Sequence, residues 1–154
     1  MIKTSLSSPA VAIALFAAAC FLLFNPSQAA ASGARCANST LIGDFGFSVE
    51  GVLIGTPGLP PEAQFRSTGM AHLDGRGNGT WVEHTVINGV SLEAGWTSAT
   101  LAYHVNANCT GVMVADTPNS PVPLNLYFVI VKQGTEFRTV LENNALAAVF
   151  TRVQ

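Results

Sequence analysis

The chain contains 154 residues, of which 49% are hydrophobic and 10% are charged, and its formal net charge is −2 with neutral histidines. Typical soluble domains carry about 25% charged residues. Lys and Arg do not cluster anywhere along the chain, which excludes binding that depends on nucleic-acid phosphates or on anionic membrane surfaces.

The first 31 residues have the pattern of a cleaved signal peptide. Lys3 precedes an unbroken apolar run, Val11–Phe24, which is shorter than the roughly 18 residues that a membrane-spanning helix needs. Small residues follow at the positions that signal peptidase accepts, so we predict cleavage after Ala29 or Ala31. Residues 32–154 would then be a secreted or periplasmic domain with no integral membrane segment.

Cys20 offers a rival interpretation of this N-terminal segment. With the three alanines before it, Cys20 loosely resembles a bacterial lipobox, whose cysteine becomes a lipidated N-terminus. The residues after it, Phe21–Phe24, are apolar, whereas lipoprotein linkers are normally polar at that point. We therefore interpret Cys20 as an ordinary signal-peptide cysteine, and gel mobility with acyl-chain labelling would test this interpretation.

Two cysteines remain in the exported part of the chain, Cys36 and Cys109. An even pair in an oxidising compartment predicts one disulfide. It would close a loop of about 73 residues and stabilise the fold by about 2–4 kcal/mol, mainly by restricting the unfolded chain. Two separate buried thiols are the alternative, and two cysteines alone make a poor metal site.

Short apolar–polar alternations that end at Gly, Asn, Asp or Pro follow one another along the exported part. This pattern is typical of strands and turns, and no helical period of useful length interrupts it. The predicted strands are Asp44–Ile54, Ala63–Leu73, Gly79–Ile87, Trp96–Val105, Cys109–Ala115, Leu124–Val131, Glu136–Glu142 and Ala145–Val153.

Individual strands differ in how they alternate. The third predicted strand sets Trp81, Glu83, Thr85 and Ile87 against Val82, His84 and Val86. Leu124–Val131 is the most apolar strand, so we expect it to be covered on both faces, by packing or by a partner chain.

The segments between the strands carry turn residues. Asp74–Asn78 and Asn88-Gly89 are tight hairpin signals, because glycine adopts positive φ freely and Asp and Asn tolerate it. Gly55–Pro61 and Thr117–Pro123 are loops, since their prolines cannot donate to a strand ladder.

Eight strands with short connections close most simply into a barrel, which removes exposed edges. We therefore predict an all-β fold, a single eight-stranded antiparallel up-and-down β-barrel. A β-sandwich is the alternative, but Greek-key sandwiches usually need longer crossovers than this chain offers.

Three groups of residues in this pattern resemble those of a known family. They are Phe45 and Phe47 after Cys36, then Asp74, Gly75, Gly77 and Asn78, then Tyr103, Val105, Cys109 and Gly111. Across nearly all of the exported part, the chain resembles secreted bacterial proteins with an allene-oxide-cyclase-like barrel, within the calycin-like group.

The resemblance implies a barrel more strongly than an activity, because its motifs are hairpin and packing motifs. The family takes its name from a plant enzyme that closes an unstable epoxide into a cyclopentenone, and related dirigent-like barrels bind reactive phenolics. No functional residue of those proteins can be matched to a position here. Trimers occur in the plant families, which makes a homo-oligomer an expectation by analogy.

The candidate metal ligands do not form a recognisable site. His72, His84 and His104 lie on three different predicted strands without the spacing of a zinc motif. Asp74–Gly79 resembles the start of a calcium loop, but its twelfth residue is Thr85 rather than Glu. We predict no metal and no cofactor.

Acid–base and ligand contacts are the remaining candidates for chemistry. His84 could form a proton-transfer pair with Glu50 or Glu93, although charged residues normally take the outer face of a barrel. The aromatic residues that could line a ligand cavity, but are more often core, are Trp81, Trp96, Tyr103, Tyr127 and Phe128.

The leading hypothesis is a non-enzymatic exported barrel that binds a small apolar molecule or a protein partner. A cyclase- or dirigent-like enzyme acting on a reactive lipid or phenolic is the second hypothesis. A structural or protein-interaction barrel is the third, motivated by Leu124–Val131, and it predicts an oligomer in light scattering. A monomer at every concentration would contradict this third hypothesis.

Overall fold

The computed structural model describes residues 35–154. The predicted signal peptide and Cys20 lie outside these residues. The described strands are β1 (Ile42–Leu53), β2 (Ala63–Asp74), β3 (Asn78–Ile87), β4 (Val90–Ser91), β5 (Thr97–Val105), β6 (Thr110–Asp116), β7 (Leu124–Val131), β8 (Glu136–Leu141) and β9 (Ala145–Arg152). Two short 3₁₀ turns, Asn38–Thr40 and Lys132–Gly134, accompany them. Within the described residues, no helix is long and apolar enough to cross a membrane.

Eight of these strands form a closed antiparallel ring. β1, β2, β3, β5, β6, β7, β8 and β9 each pair with the next in order, and β9 pairs back with β1. The predicted up-and-down barrel is confirmed, and the sandwich alternative is wrong. β4 is an addition that the sequence did not predict. It pairs only with the end of β3, through the Asn88-Gly89 hairpin, and its two residues are too few to show an alternation.

The two ends of the barrel differ in their connections. The short turns 75–77, 106–109 and 132–135 lie at one end, which we call the closed end. The connections 54–62, 88–96, 117–123 and 142–144 lie at the other end, which we call the mouth. Since three of the mouth connections are the longest in the barrel, they supply walls beyond the strands themselves.

The turn after β2 illustrates how the closed end is fixed. One carboxylate oxygen of Asp74 accepts hydrogen bonds from the backbone N–H groups of Arg76, Gly77 and Asn78 at 2.7, 3.0 and 2.9 Å. The bonds from Asn78 and Arg76 are the largest reasons why the pKa of Asp74 lies below its usual value. Gly75 and Gly77 have φ of 72° and 117°, which a residue with a Cβ rarely adopts.

The N-terminal segment 35–41 covers the closed end. Cys36 forms a disulfide with Cys109, with the two Cα atoms 5.0 Å apart. The Tyr103 hydroxyl donates to the Leu41 carbonyl at 3.0 Å, and the Arg152 guanidinium donates to the Thr40 carbonyl at 3.2 Å. The segment is therefore held by one covalent bond and by side chains from two strands.

Aromatic rings fill the barrel interior next to the closed end. Phe137 stacks on Phe150 with ring centroids 4.3 Å apart, and it also meets Phe45 at 5.3 Å and Phe128 at 5.6 Å. Further along the axis, Phe47 and Trp81 continue this aromatic column, with centroids 5.5 Å apart. The interior at this end is thus a packed core with no room for a ligand.

Two inward-facing glycines make room for these rings. A Cβ at Gly111 would lie 2.2 Å from the Phe128 ring, and one at Gly69 would lie 2.5 Å from the Phe47 ring. Ordinary Cβ contacts are well beyond 3 Å, so any side chain at these positions would displace an aromatic ring. The absence of a side chain at these two positions therefore leaves the space that the Phe128 and Phe47 rings occupy.

The expectation that β7 is covered on both faces is wrong within this chain. Its residues alternate, with Leu126, Phe128 and Ile130 buried and the residues between them exposed. The outward Tyr127 side chain is 51% exposed and pairs in register with the exposed Val112 and Val140. Covering by a partner chain, and with it the homo-oligomer, stays a prediction.

Candidate functional site

The cavity at the mouth of the barrel is the candidate functional site. It has a volume of about 310 Å³, and a smaller void of about 40 Å³ continues below it toward the aromatic core. Its apolar walls are formed by Leu53, Phe65, Ile87, Leu92, Leu124, Leu141 and Leu146. We call this space the mouth cavity.

A larger hollow of about 690 Å³ lies on the outer surface over β3 and β5, but it is a weaker candidate. The side chains that open onto it from the strands, such as Thr80, Ser98 and Thr100, are exposed. A binding site needs convergent polar groups that are shielded from water, and the mouth cavity has them.

Glu83 lies at the junction between the mouth cavity and the void below it. Its side chain points inward from β3, and the residue is only 6% exposed. The expectation that charged residues take the outer face is wrong for this residue. Glu83 lies on the same face of β3 as the inward Trp81 and Thr85, so the closure of the barrel leaves it no other direction.

Hydroxyl groups hold both carboxylate oxygens of Glu83. Ser67 donates to Oε2 at 3.1 Å, and Thr117 donates to Oε1 at 3.3 Å. Thr85 in turn donates to the Ser67 hydroxyl at 3.2 Å, which directs the Ser67 proton toward the carboxylate. β2, β3 and the start of the β6–β7 connection thus converge on one carboxyl group.

Burial raises the pKa of Glu83 above the usual 4.5 of a glutamate. Loss of water around the charged form is the largest cause, and repulsion from the nearby Glu93 adds to it. The hydrogen bonds from Ser67 and Thr117, and the approach of the Trp81 indole, oppose the shift. The Trp81 Nε1 is buried but makes no hydrogen bond of normal geometry within residues 35–154.

We expect the Glu83→Gln variant to gain stability relative to the wild type as the pH rises. With a raised folded-state pKa, Glu83 stabilises the fold fully below about pH 4.5, and this contribution is lost as the pH rises through the folded pKa. Urea unfolding of both proteins at about pH 4 and about pH 8 measures this. A difference in unfolding free energy that is equal at the two pH values would contradict the prediction.

Within the described residues, His84 does not form the candidate pair with Glu50 or Glu93. The His84 Nδ1 lies 2.8 Å from the Gly95 carbonyl, and its Nε2 lies 3.3 Å from the Ser91 hydroxyl. These contacts tie the β3–β5 connection to the outer face of β3. They stabilise that connection and leave the ring away from the barrel interior.

The three histidines are not brought together. His72 contacts Asp44 at 2.7 Å on the outer face, and His104 lies exposed on β5. Among residues 35–154, no three His, Cys, Asp or Glu side chains are close enough to hold a metal ion.

The candidate aromatic residues divide between core and surface. Trp81, Tyr103 and Phe128 are buried, and of these only Trp81 reaches the void below the mouth cavity. Trp96 and Tyr127 are exposed on the outside. The mouth cavity is therefore lined mainly by aliphatic residues and by Phe65, which the sequence did not single out.

Comparison with family models, with curated proteins and with solved structures finds no match to this chain. The resemblance to allene-oxide-cyclase-like proteins therefore remains a prediction, and the case for function rests on the mouth cavity itself.

Proposed function

We propose that this protein is an exported, non-enzymatic barrel that binds a small apolar molecule in the mouth cavity. The observation that carries the proposal is an aliphatic cavity of about 310 Å³ with one buried carboxyl group, Glu83, at its floor. Ligand sites typically measure about 300–1,000 Å³ and combine apolar walls with a few polar groups. The volume favours a ligand at the small end of this range.

Export supports the same proposal. The N-terminal segment has the pattern of a signal peptide, and the Cys36–Cys109 disulfide suits an oxidising compartment. A cavity that removes a small apolar molecule from water gains the free energy of burying its apolar surface.

Leu146→Trp should strongly weaken the binding of n-hexanol, a small apolar alcohol. Leu146 borders both the mouth cavity and the void beneath it, so the larger indole would occupy the space that the ligand needs. Isothermal titration calorimetry should give one n-hexanol per wild-type chain, weakened by about tenfold or more in the variant.

Val140→Trp is the matched control for this experiment. It makes a similar enlargement on the outer wall, where the Val140 side chain is 55% exposed, and it should leave n-hexanol binding unchanged. Absence of saturable binding to the wild type, or an equal loss in both variants, would overturn the proposed site.

A cyclase- or dirigent-like enzyme acting on a reactive lipid or phenolic is the second candidate. The observation that favours it is again Glu83, because a buried acid with a raised pKa can hold a proton for transfer to a reacting oxygen. Turnover of an epoxide that is lost in Glu83→Gln while ligand binding persists would support this candidate. Turnover that is unchanged in the variant would exclude Glu83 as the acid.

A further inference from the structure

We propose that the mouth cavity selects ligands that carry a protonated amine on an apolar body, with the ammonium group paired to Glu83. This inference rests on the proposed binding function and adds the chemical class of the ligand. Two glutamates of the described residues, Glu83 and Glu136, are only 6% and 4% exposed, and the charges that surround them differ.

Glu136 is the other of these two glutamates, and the protein supplies its cations. Arg138 donates to its Oε1 at 3.0 Å, and Lys132 donates to its Oε2. Hydrogen bonds from Lys132 and then Arg138 hold the pKa of Glu136 below its usual value. This carboxylate at the closed end is therefore neutralised within the chain, as buried charges usually are.

Glu83 has hydrogen-bond donors on both oxygens but no cationic partner among residues 35–154. Its partners are the hydroxyls of Ser67 and Thr117, and none of the Lys or Arg side chains of the described part lines the mouth cavity. Three groups thus favour the ionised form, including the buried and otherwise unpartnered Nε1 of Trp81, a residue only 5% exposed. Loss of water outweighs these donors and keeps the pKa of Glu83 raised, and no Lys or Arg of the described residues lines the cavity to offset that cost.

Glu93 strengthens the preference for a cation. Both of its carboxylate oxygens are buried and have no hydrogen-bond partner within the described residues, and its negative charge acts on Glu83. An ammonium group at Glu83 would therefore relieve the repulsion between the two glutamates, whereas a ligand carboxylate would add to it. The aliphatic walls around Leu124 and Leu146 would cover the hydrocarbon part of the same molecule.

Three six-carbon probes with different head groups test this selectivity at neutral pH. We expect n-hexylamine to bind the full chain about tenfold or more tightly than n-hexanol, because a hydrogen bond between charged groups is stronger than one to a neutral hydroxyl. Hexanoate should bind more weakly than n-hexanol. Isothermal titration calorimetry measures all three affinities.

Glu83→Gln locates the selectivity, and Glu50→Gln is its matched control. Glu50 lies on the outer face with its side chain 75% exposed, so its substitution makes the same chemical change away from the cavity. We expect Glu83→Gln to bring the affinities for n-hexylamine and n-hexanol within about threefold of one another, and Glu50→Gln to keep the wild-type ratio. A ratio that persists in Glu83→Gln would overturn the assignment.

The wild-type results separate failure of this inference from failure of the proposed function. If n-hexanol or hexanoate binds as tightly as n-hexylamine, the amine selectivity is wrong while the binding function stands. If none of the three probes binds, both are wrong. Because the ranking of the three probes is measured on the wild type, it tests the inference even if Glu83→Gln does not fold.

Discussion

Phe137→Ala should lower the free energy of unfolding by about 3–5 kcal/mol. Phe137 is completely buried, and its ring contacts those of Phe45, Phe128 and Phe150. Removing it would leave a cavity enclosed by rigid strands on all sides, which cannot collapse to refill the space. Urea unfolding should show a lower transition midpoint with a similar slope.

Val140→Ala is the control for this prediction, since Val140 lies on the same strand with its side chain outside. It should change the free energy of unfolding by no more than about 0.5 kcal/mol. Phe137→Leu, with a smaller loss than the alanine variant, keeps the test usable if Phe137→Ala does not fold. A loss below about 1 kcal/mol for Phe137→Ala would mean that the aromatic column does not carry the stability of the closed end.

Loss of the disulfide should cost about 2–5 kcal/mol. The bond between Cys36 and Cys109 closes a loop with a sequence separation of 73, which strongly restricts the unfolded chain. The double variant Cys36→Ser with Cys109→Ser avoids leaving a lone thiol. Its free energy of unfolding, measured in urea, should fall by this amount relative to the oxidised wild type.

A reducing agent provides the control for the disulfide experiment. It should lower the stability of the wild type to near that of the double variant and leave the double variant unchanged. The barrel should remain folded in both cases, because Tyr103 and Arg152 still hold the N-terminal segment through hydrogen bonds. If reduction leaves the wild-type stability unchanged, the pairing contributes nothing to the fold.

The strands could be predicted because burial of one face imposes a period of two on the sequence. Phe45 and Phe47 in β1, and Ala71 and Leu73 in β2, are buried as their alternation predicts. The tight turns could be predicted too, because they need positive φ and few residues other than glycine adopt it. Hydrophobicity alone predicted the wrong burial for β7, because the sequence does not distinguish a valine or tyrosine that faces outward from one that faces inward.

The site could not be predicted in the same way. Alternation grouped Glu83 with Trp81 and Thr85, but only ring closure decides which of the two faces of β3 is inside. The rule that charges lie outside then favoured the wrong choice. The parity shared with Trp81, a large aromatic residue, was the signal that could have placed Glu83 inside. Its partners Ser67 and Thr117 come from distant parts of the chain, and no local motif connects them.

The closed end of the barrel provides the stability of the fold, and the mouth provides the shape of the cavity rim. The disulfide and the packed aromatic rings lie toward the closed end, whereas the connections 54–62, 88–96 and 117–123 form the rim of the mouth. If the mouth cavity binds a ligand as proposed, substitutions in these rim segments would alter which molecule binds while the closed end continues to fold unchanged. Such an arrangement is a suitable starting point for evolution, or for a laboratory library, because new recognition can be explored without first restoring the scaffold.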